Sequence, residues 1–288
     1  MMQIAHRQIE VRGIGTHYLE AGEGPTLVLL HSGEFGGSAE LSWERVLPAL
    51  AERHRVIAPD WLGYGGTDKV HDFARGGARR ISHMTEFLDA VGIDDAAFMG
   101  NSMGATLLGQ VAAAHEPIWP INALVLISGG GFVPNNPERQ VLLDYDGTPK
   151  AMRAIMEIVF HDAPWALADD YVQRRVDASL APGAWEAVAA PRLKAPVVPP
   201  RSDFGKPDET PYELIAVPTL VIGGADDRLR LPGYAQELGA RIPDARVEVY
   251  ERCGHVPNLE HPERVVADVL AFLERARGPL SPAPGAAA

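Results

Sequence analysis

The sequence predicts an α/β fold, a mostly parallel eight-stranded sheet flanked by helices and carrying a helical lid insertion. Three observations predict it. Apolar runs of strand length alternate with segments of helical spacing, the rhythm of a parallel sheet with crossover connections. Several of those runs are apolar almost throughout, as in strands covered on both faces. The rhythm stops between about 134 and 211 and then resumes, so one core is interrupted rather than followed by a second one.

Taken in order, residues 8–12 and 16–20 alternate and read as a hairpin, with Gly13 and Gly15 bracketing its turn. After Gly22-Glu23-Gly24-Pro25 comes the apolar strand 26–31. Residues 41–53 have helical spacing (Trp43, Val46, Leu47, Leu50), and 55–60 is a short buried strand. Residues 78–91 form a helix with Ile81, Met84, Leu88 and Val91 near one face. A strand at 96–100, a helix at 103–115 and a strand at 123–128 follow. Past Gly129-Gly130-Gly131 only helical patterns are found, at 150–160, 166–178 and 184–190, then a Pro-rich stretch at 195–200. The core resumes with a strand at 218–223, a helix at 232–241, a strand at 246–250 and a helix at 262–277. The expected units are therefore 1–133 and 212–277 for the core and 134–211 for the lid. The tail, 278–288, is almost entirely Pro, Ala, Gly and Ser and is expected to be disordered.

Bulk properties narrow the functional classes. The chain has 288 residues, 46% of them hydrophobic, enough for one sizeable core. Its formal net charge of −12 repels phosphate backbones and argues against nucleic acid as a partner. The single cysteine, Cys253, permits no intrachain disulfide and fits a reducing compartment. No apolar stretch approaches the roughly 20 residues needed to span a bilayer, and the first residues lack the apolar segment of a secretory signal. A cytoplasmic protein with no membrane partner is expected.

The chemistry is concentrated in Gly100-Asn101-Ser102-Met103-Gly104. A Gly-x-Ser-x-Gly motif arises by chance in a chain of this length on the order of one time in ten. Its context raises it: it follows a predicted strand and opens a predicted helix, which puts Ser102 on a tight turn. A serine hydroxyl needs a base within hydrogen-bond reach to act as a nucleophile at neutral pH. His255, in the turn after the 246–250 strand, is the candidate. The acid that orients it should follow the 218–223 strand, where Gly224-Ala225-Asp226-Asp227-Arg228 stands. Side chains of adjacent residues point apart, so one aspartate faces the imidazole; Asp227 is preferred, with Asp226 facing solvent. Developing negative charge on a substrate oxygen also needs N–H donors. Met103 offers one. The loop His31-Ser32-Gly33-Glu34-Phe35-Gly36-Gly37 offers the second, assigned to Gly33. Nothing in the sequence requires a cofactor, metal or nucleotide. On the lid, Met152, Ile155, Met156, Phe160, Trp165 and Trp185 are apolar enough to roof a pocket, or equally to dock the lid on the core.

From about residue 22 to 273 these phrases resemble the α/β-hydrolase family. Leu30-His31-Ser32-Gly33, Ala58-Pro59-Asp60-Trp61-Leu62-Gly63-Tyr64-Gly65 and the Ser102 motif are similar to those of meta-cleavage-product hydrolases. That subfamily cleaves a carbon–carbon bond in 2-hydroxy-6-oxo-2,4-dienoates formed by ring opening of catechols. The resemblance implies that Arg175, in Tyr171-Val172-Gln173-Arg174-Arg175, holds the substrate carboxylate. Ser32, Asn101 and Trp185 are the further expected substrate contacts. Two departures stand out. The subfamily usually has tryptophan directly after the catalytic histidine, whereas Val256-Pro257-Asn258 follow His255. It usually has asparagine soon after the tryptophan of the glycine-rich loop, whereas Glu44-Arg45 follow Trp43.

The expected function is thus hydrolysis of a carbon–carbon bond in a small-molecule substrate. Carboxylester or lactone hydrolysis by the same three residues is the alternative, and a non-hydrolytic small-molecule receptor is the reading from another class. A homodimer is the assembly expected, although no residue pattern sets it.

Overall fold

The structure, a computed structural model, describes residues 3–73, 76–190 and 204–277. The Pro-rich stretch at 195–200 and the tail at 278–288 lie outside the described residues.

Eight strands form one sheet, β1 (Ala5–Val11), β2 (Ile14–Ala21), β3 (Thr26–Leu30), β4 (Arg55–Pro59), β5 (Ala96–Asn101), β6 (Ile121–Ile127), β7 (Thr219–Gly224) and β8 (Ala245–Tyr250). Their spatial order is β1-β2-β4-β3-β5-β6-β7-β8. β1 and β2 pair antiparallel, β2 pairs antiparallel with β4, and every other pairing is parallel. The expected mostly parallel sheet is what forms.

The side-chain period of two sorts each central strand onto two cores. Leu27 and Leu29 of β3 join Ala97, Met99, Val125, Ile127, Leu220 and Ile222 on one face. Val28 and Leu30 join Phe98, Leu124, Leu126 and Val221 on the other. Helices α1 (Ala39–Trp43), α2 (Leu47–Leu50) and α11 (Pro262–Ala276) cover the first face through Trp43, Leu47, Leu50, Val265, Val269 and Phe272. Helices α3 (Gly76–Ala90), α4 (Met103–Ala112) and α9 (Tyr234–Arg241) cover the second.

Between β6 and β7 the described residues hold helices and no strand. They are α5 (Pro137–Leu143), α6 (Pro149–Val159), α7 (Asp169–Ser179) and α8 (Ala184–Ala189), with 3-10 turns at Pro164–Leu167 and Tyr212–Leu214. Met152, Ile155, Met156 and Phe160 are buried and belong to the same apolar cluster as α4. These side chains dock the lid on the core.

Four details differ from the sequence reading. The hairpin turn is Arg12-Gly13, with φ 48° and 80°, while Gly15 lies inside β2. Positive φ at both central residues is the two-residue turn whose twist matches the strands it joins. The expected helix at 41–53 is two short helices, because Pro48 lacks an N–H and its ring excludes the carbonyl four residues earlier. The expected helix at 166–178 starts at Asp169, Ala168 being extended with ψ 143°. The two acids Asp169 and Asp170 favour that start electrostatically. Helix α5 went unread, although Asn136 caps it and Pro137 opens it.

Among the described residues, no helix is long and apolar enough to cross a membrane. Helix α10 (Pro257–Glu260) completes the chain of elements and follows directly on the loop of His255.

Candidate active site

Ser102 stands between β5 and α4 with φ 53° and ψ −113°. A non-glycine residue held there carries strain on the order of 1–3 kcal/mol, so the surroundings must impose it. They do so through close packing of helix on strand. A Cβ on Gly104 would lie 2.1 Å from the Leu30 carbonyl oxygen, and one on Gly100 would lie 2.5 Å from the Ala105 nitrogen. The Ser102 N–H donates to the Ile127 carbonyl of the neighbouring strand at 2.8 Å, which ties the turn to the sheet. The side chain is thereby presented at the carboxyl edge of the parallel strands, half-exposed, where β7 and β8 also deliver their following loops.

His255 arrives from the loop after β8. Its Nε2 lies 2.8 Å from the Ser102 Oγ. Its Nδ1 lies 2.7 Å from Asp227 Oδ2, in the loop after β7. The other Asp227 oxygen accepts the Leu229 N–H at 2.8 Å, which fixes the carboxylate's orientation. His255 and Asp227 are both buried, whereas the Ser102 residue remains partly open. Burial pushes the Asp227 carboxyl upward, but the charge and hydrogen bond of His255, the Arg230 guanidinium and the Leu229 N–H outweigh it and hold it below its ordinary range. Asp226 takes the other direction, with a side chain 43% exposed and 3.7 Å from His161 of the lid.

Two groups beside the turn can receive developing negative charge. Met103 is the first residue of α4, where a helix leaves its N–H groups without intrahelical partners. Gly33 backs directly onto Met103, since a Cβ there would lie 2.6 Å from the Met103 Sδ. Tyr64 donates its hydroxyl to the Gly33 carbonyl at 3.0 Å and steadies the loop. An N–H pair on either side of a carbonyl oxygen would stabilise a tetrahedral adduct formed at Ser102. The arrangement can therefore move a proton from Oγ to Nε2 as the serine oxygen adds to a carbonyl.

The residues expected to contact substrate have the following partners within the fold. Asn101 is buried and donates to the carbonyls of Ile127 at 3.3 Å and His255 at 3.4 Å, so its amide braces the turn against the histidine loop. Ser32 is buried, and its carbonyl accepts from His31 Nδ1 at 2.6 Å. Trp185 of α8 stacks on Phe35 of the glycine-rich loop with ring centroids 6.1 Å apart. Arg175 of α7 is buried and ion-paired with Glu34 at 2.7 Å.

Several contacts at the site went unread in the sequence. Glu34 is one; a lone acid within a glycine-rich loop was its only signal. Glu260 is another. One of its oxygens accepts the Gly254 N–H and the other the His161 N–H, both at 2.8 Å, joining the histidine loop to the lid. The His255 N–H itself donates to the Val159 carbonyl at the end of α6 at 2.7 Å. The lid thus helps to hold the imidazole. No local pattern encodes these contacts.

With this geometry established, likeness to known proteins is informative. A family model described as the alpha/beta hydrolase family matches residues 27–269. The 2-hydroxy-6-oxo-6-(2'-aminophenyl)hexa-2,4-dienoic acid hydrolase of Metapseudomonas resinovorans is 32% identical over 93% of this chain and 91% of its own. The 2-hydroxymuconate semialdehyde hydrolase of Pseudomonas putida is 31% identical, covering 94% of each chain. Among solved structures, a meta-cleavage product hydrolase from Pseudomonas fluorescens superposes with a TM-score of 0.84 at 27% identity, covering 94% of this chain and 98% of the other.

Proposed function

This chain belongs to the alpha/beta hydrolase family and is a hydrolase, and from that premise we propose that it cleaves a carbon–carbon bond in a 2-hydroxy-6-oxo-dienoate-type compound. The observation that carries this reading is the hydrogen-bonded chain Ser102–His255–Asp227, in a protein whose relatives are named for hydrolysis of such dienoates.

Ser102 is the nucleophile, or the residue that positions water for the same attack. His255 takes the proton released when the oxygen adds to the ketone carbonyl remote from the substrate carboxylate. Asp227 holds the Nδ1–H tautomer and stabilises the imidazolium that forms. The Met103 and Gly33 N–H groups receive the negative charge on the former carbonyl oxygen. Collapse of that adduct breaks the carbon–carbon bond, and His255 returns its proton to the departing carbon or to the electron sink conjugated with it. Where Ser102 is the nucleophile, water activated by His255 then hydrolyses the acyl-serine, releasing the carboxylic acid and restoring the Ser102 hydroxyl. A carbon leaving group requires such a sink, so prior ketonisation of the substrate's dienol is part of the reaction.

The test compares turnover of a ring-fission dienoate with a short panel of p-nitrophenyl esters and lactones. Dienoate cleavage with higher kcat/KM than any ester supports the proposal. If esters or lactones alone turn over, the carbon–carbon reading fails and carboxylester hydrolysis replaces it.

A further inference from the structure

The glycine-rich loop after β3 carries one charged residue, Glu34, directly after Gly33. Its carboxylate accepts from the Arg175 guanidinium at 2.7 Å. The side chains are 14% and 3% exposed, so the pair is withdrawn from water with Glu34 on its more open side. Arg175 also donates to the Tyr171 hydroxyl at 2.8 Å, while its Nε finds no hydrogen-bond partner among the described residues. Burial opposes ionisation of Glu34, yet Arg175 and the Ser32 hydroxyl hold its carboxyl below the ordinary range. Both members are charged and compensate one another. Gly33, the residue before Glu34, abuts Met103, the residue after Ser102, so the loop that carries Glu34 borders the reacting centre.

We propose that Glu34 is a specificity-determining residue, an internal carboxylate that occupies Arg175 and makes the Ser102 site bind compounds neutral at that end more tightly than carboxylates. The inference rests on the reading of Ser102 as the centre of the substrate site. A buried cation compensates one anion. A second carboxylate reaching Arg175 either stands beside Glu34 as a like charge or displaces it, leaving a buried acid without its cation. An amide or ester carbonyl meets neither cost. For the dienoate reaction, Glu34 competes with the substrate's own carboxylate and raises KM for the free acid above that of its neutral counterpart.

Two unreactive probes of one shape test this, hexa-2,4-dienoate (sorbate) and its primary amide, titrated calorimetrically at neutral pH into the full chain and its E34Q variant. The wild type is expected to bind the amide about tenfold more tightly. In E34Q the acid gains about 10–100-fold, the worth of a hydrogen bond to a charged group, and overtakes the amide. An unchanged acid-to-amide ratio in E34Q overturns the proposal. Sorbate binding as tight as the amide in the wild type, or no binding of either probe, does so as well, even if E34Q does not fold. The two readings separate cleanly. A chain that cleaves no dienoate but shows the reversal loses the carbon–carbon assignment and keeps the role of Glu34, and the converse result does the opposite.

Discussion

His255 Nδ1 and Asp227 Oδ2 lie 2.7 Å apart, and the second Asp227 oxygen is held by the Leu229 N–H. The neighbouring Asp226 lies 3.7 Å from a different imidazole, that of His161 on the lid. Two adjacent aspartates are thus divided between two histidines by the direction of the loop. Asp227→Asn should lower kcat by about 10⁴-fold, because an amide favours the wrong imidazole tautomer. Asp226→Asn should stay within a few-fold of wild type. Steady-state kinetics on any turned-over substrate checks the pair, and equal losses in both variants would refute the division.

Ser102→Ala removes the attacking oxygen and little else, since the strained turn is imposed by Gly100, Gly104 and the Ile127 carbonyl. Turnover should fall by about 10³-fold or more while ligand affinity is retained. Single-turnover rates and equilibrium binding on the same preparation separate the two effects. Retained turnover would end the nucleophile assignment.

Gly104→Ala tests the packing that creates the turn. Its Cβ would sit 2.1 Å from the Leu30 carbonyl oxygen, so helix α4 must move away from β3. Overpacking of this kind costs about 1–3 kcal/mol. Urea denaturation should show that loss, together with a fall in kcat as Ser102 shifts relative to His255. A variant as stable and active as wild type would show that the close approach is not required.

Stability should fall on acidification in two stages. Burial holds His31, His54 and His83 below their ordinary value of 6.5. Asp60 and Asp227 are held below 3.8 and Glu34 below 4.5, in each case by hydrogen bonds and positive neighbours that overcome burial. Over each such window the folded state binds fewer protons than the unfolded chain, so stability rises with pH there. Half-buried Glu260, raised above 4.5, opposes this alone among the carboxyl groups with a resolved shift. Denaturant midpoints should therefore begin to drop below pH 6.5 and drop further below 4.5. A flat profile across both windows would contradict the assigned protonation states.

Much of the fold was legible because its signals are local. The strand positions follow from apolar runs bounded by Gly and Pro, and the Ser102 turn from two glycines flanking a serine at a strand-to-helix junction. Where the reading erred, a local rule was outweighed or overlooked. Pro48 divides α1 from α2, and the turn at Arg12-Gly13 takes the geometry its strands' twist demands.

The sequence by itself determined the sheet, the insertion and the three loops on which Ser102, Asp227 and His255 stand. Periodicity and turn chemistry act between neighbouring residues, and the order of strands along the chain does the rest. Only the tertiary structure decided which of Asp226 and Asp227 meets the imidazole, that the lid's Val159 carbonyl receives the His255 N–H, and that Arg175 is already paired with Glu34. The last two residues are 141 positions apart. Their pairing depends on where α7 comes to rest against the glycine-rich loop, and that is set by burial of the whole lid face rather than by any pattern near either residue. The Ser102 site is therefore written locally, while the charge that a substrate meets beside it is a property of the closed fold.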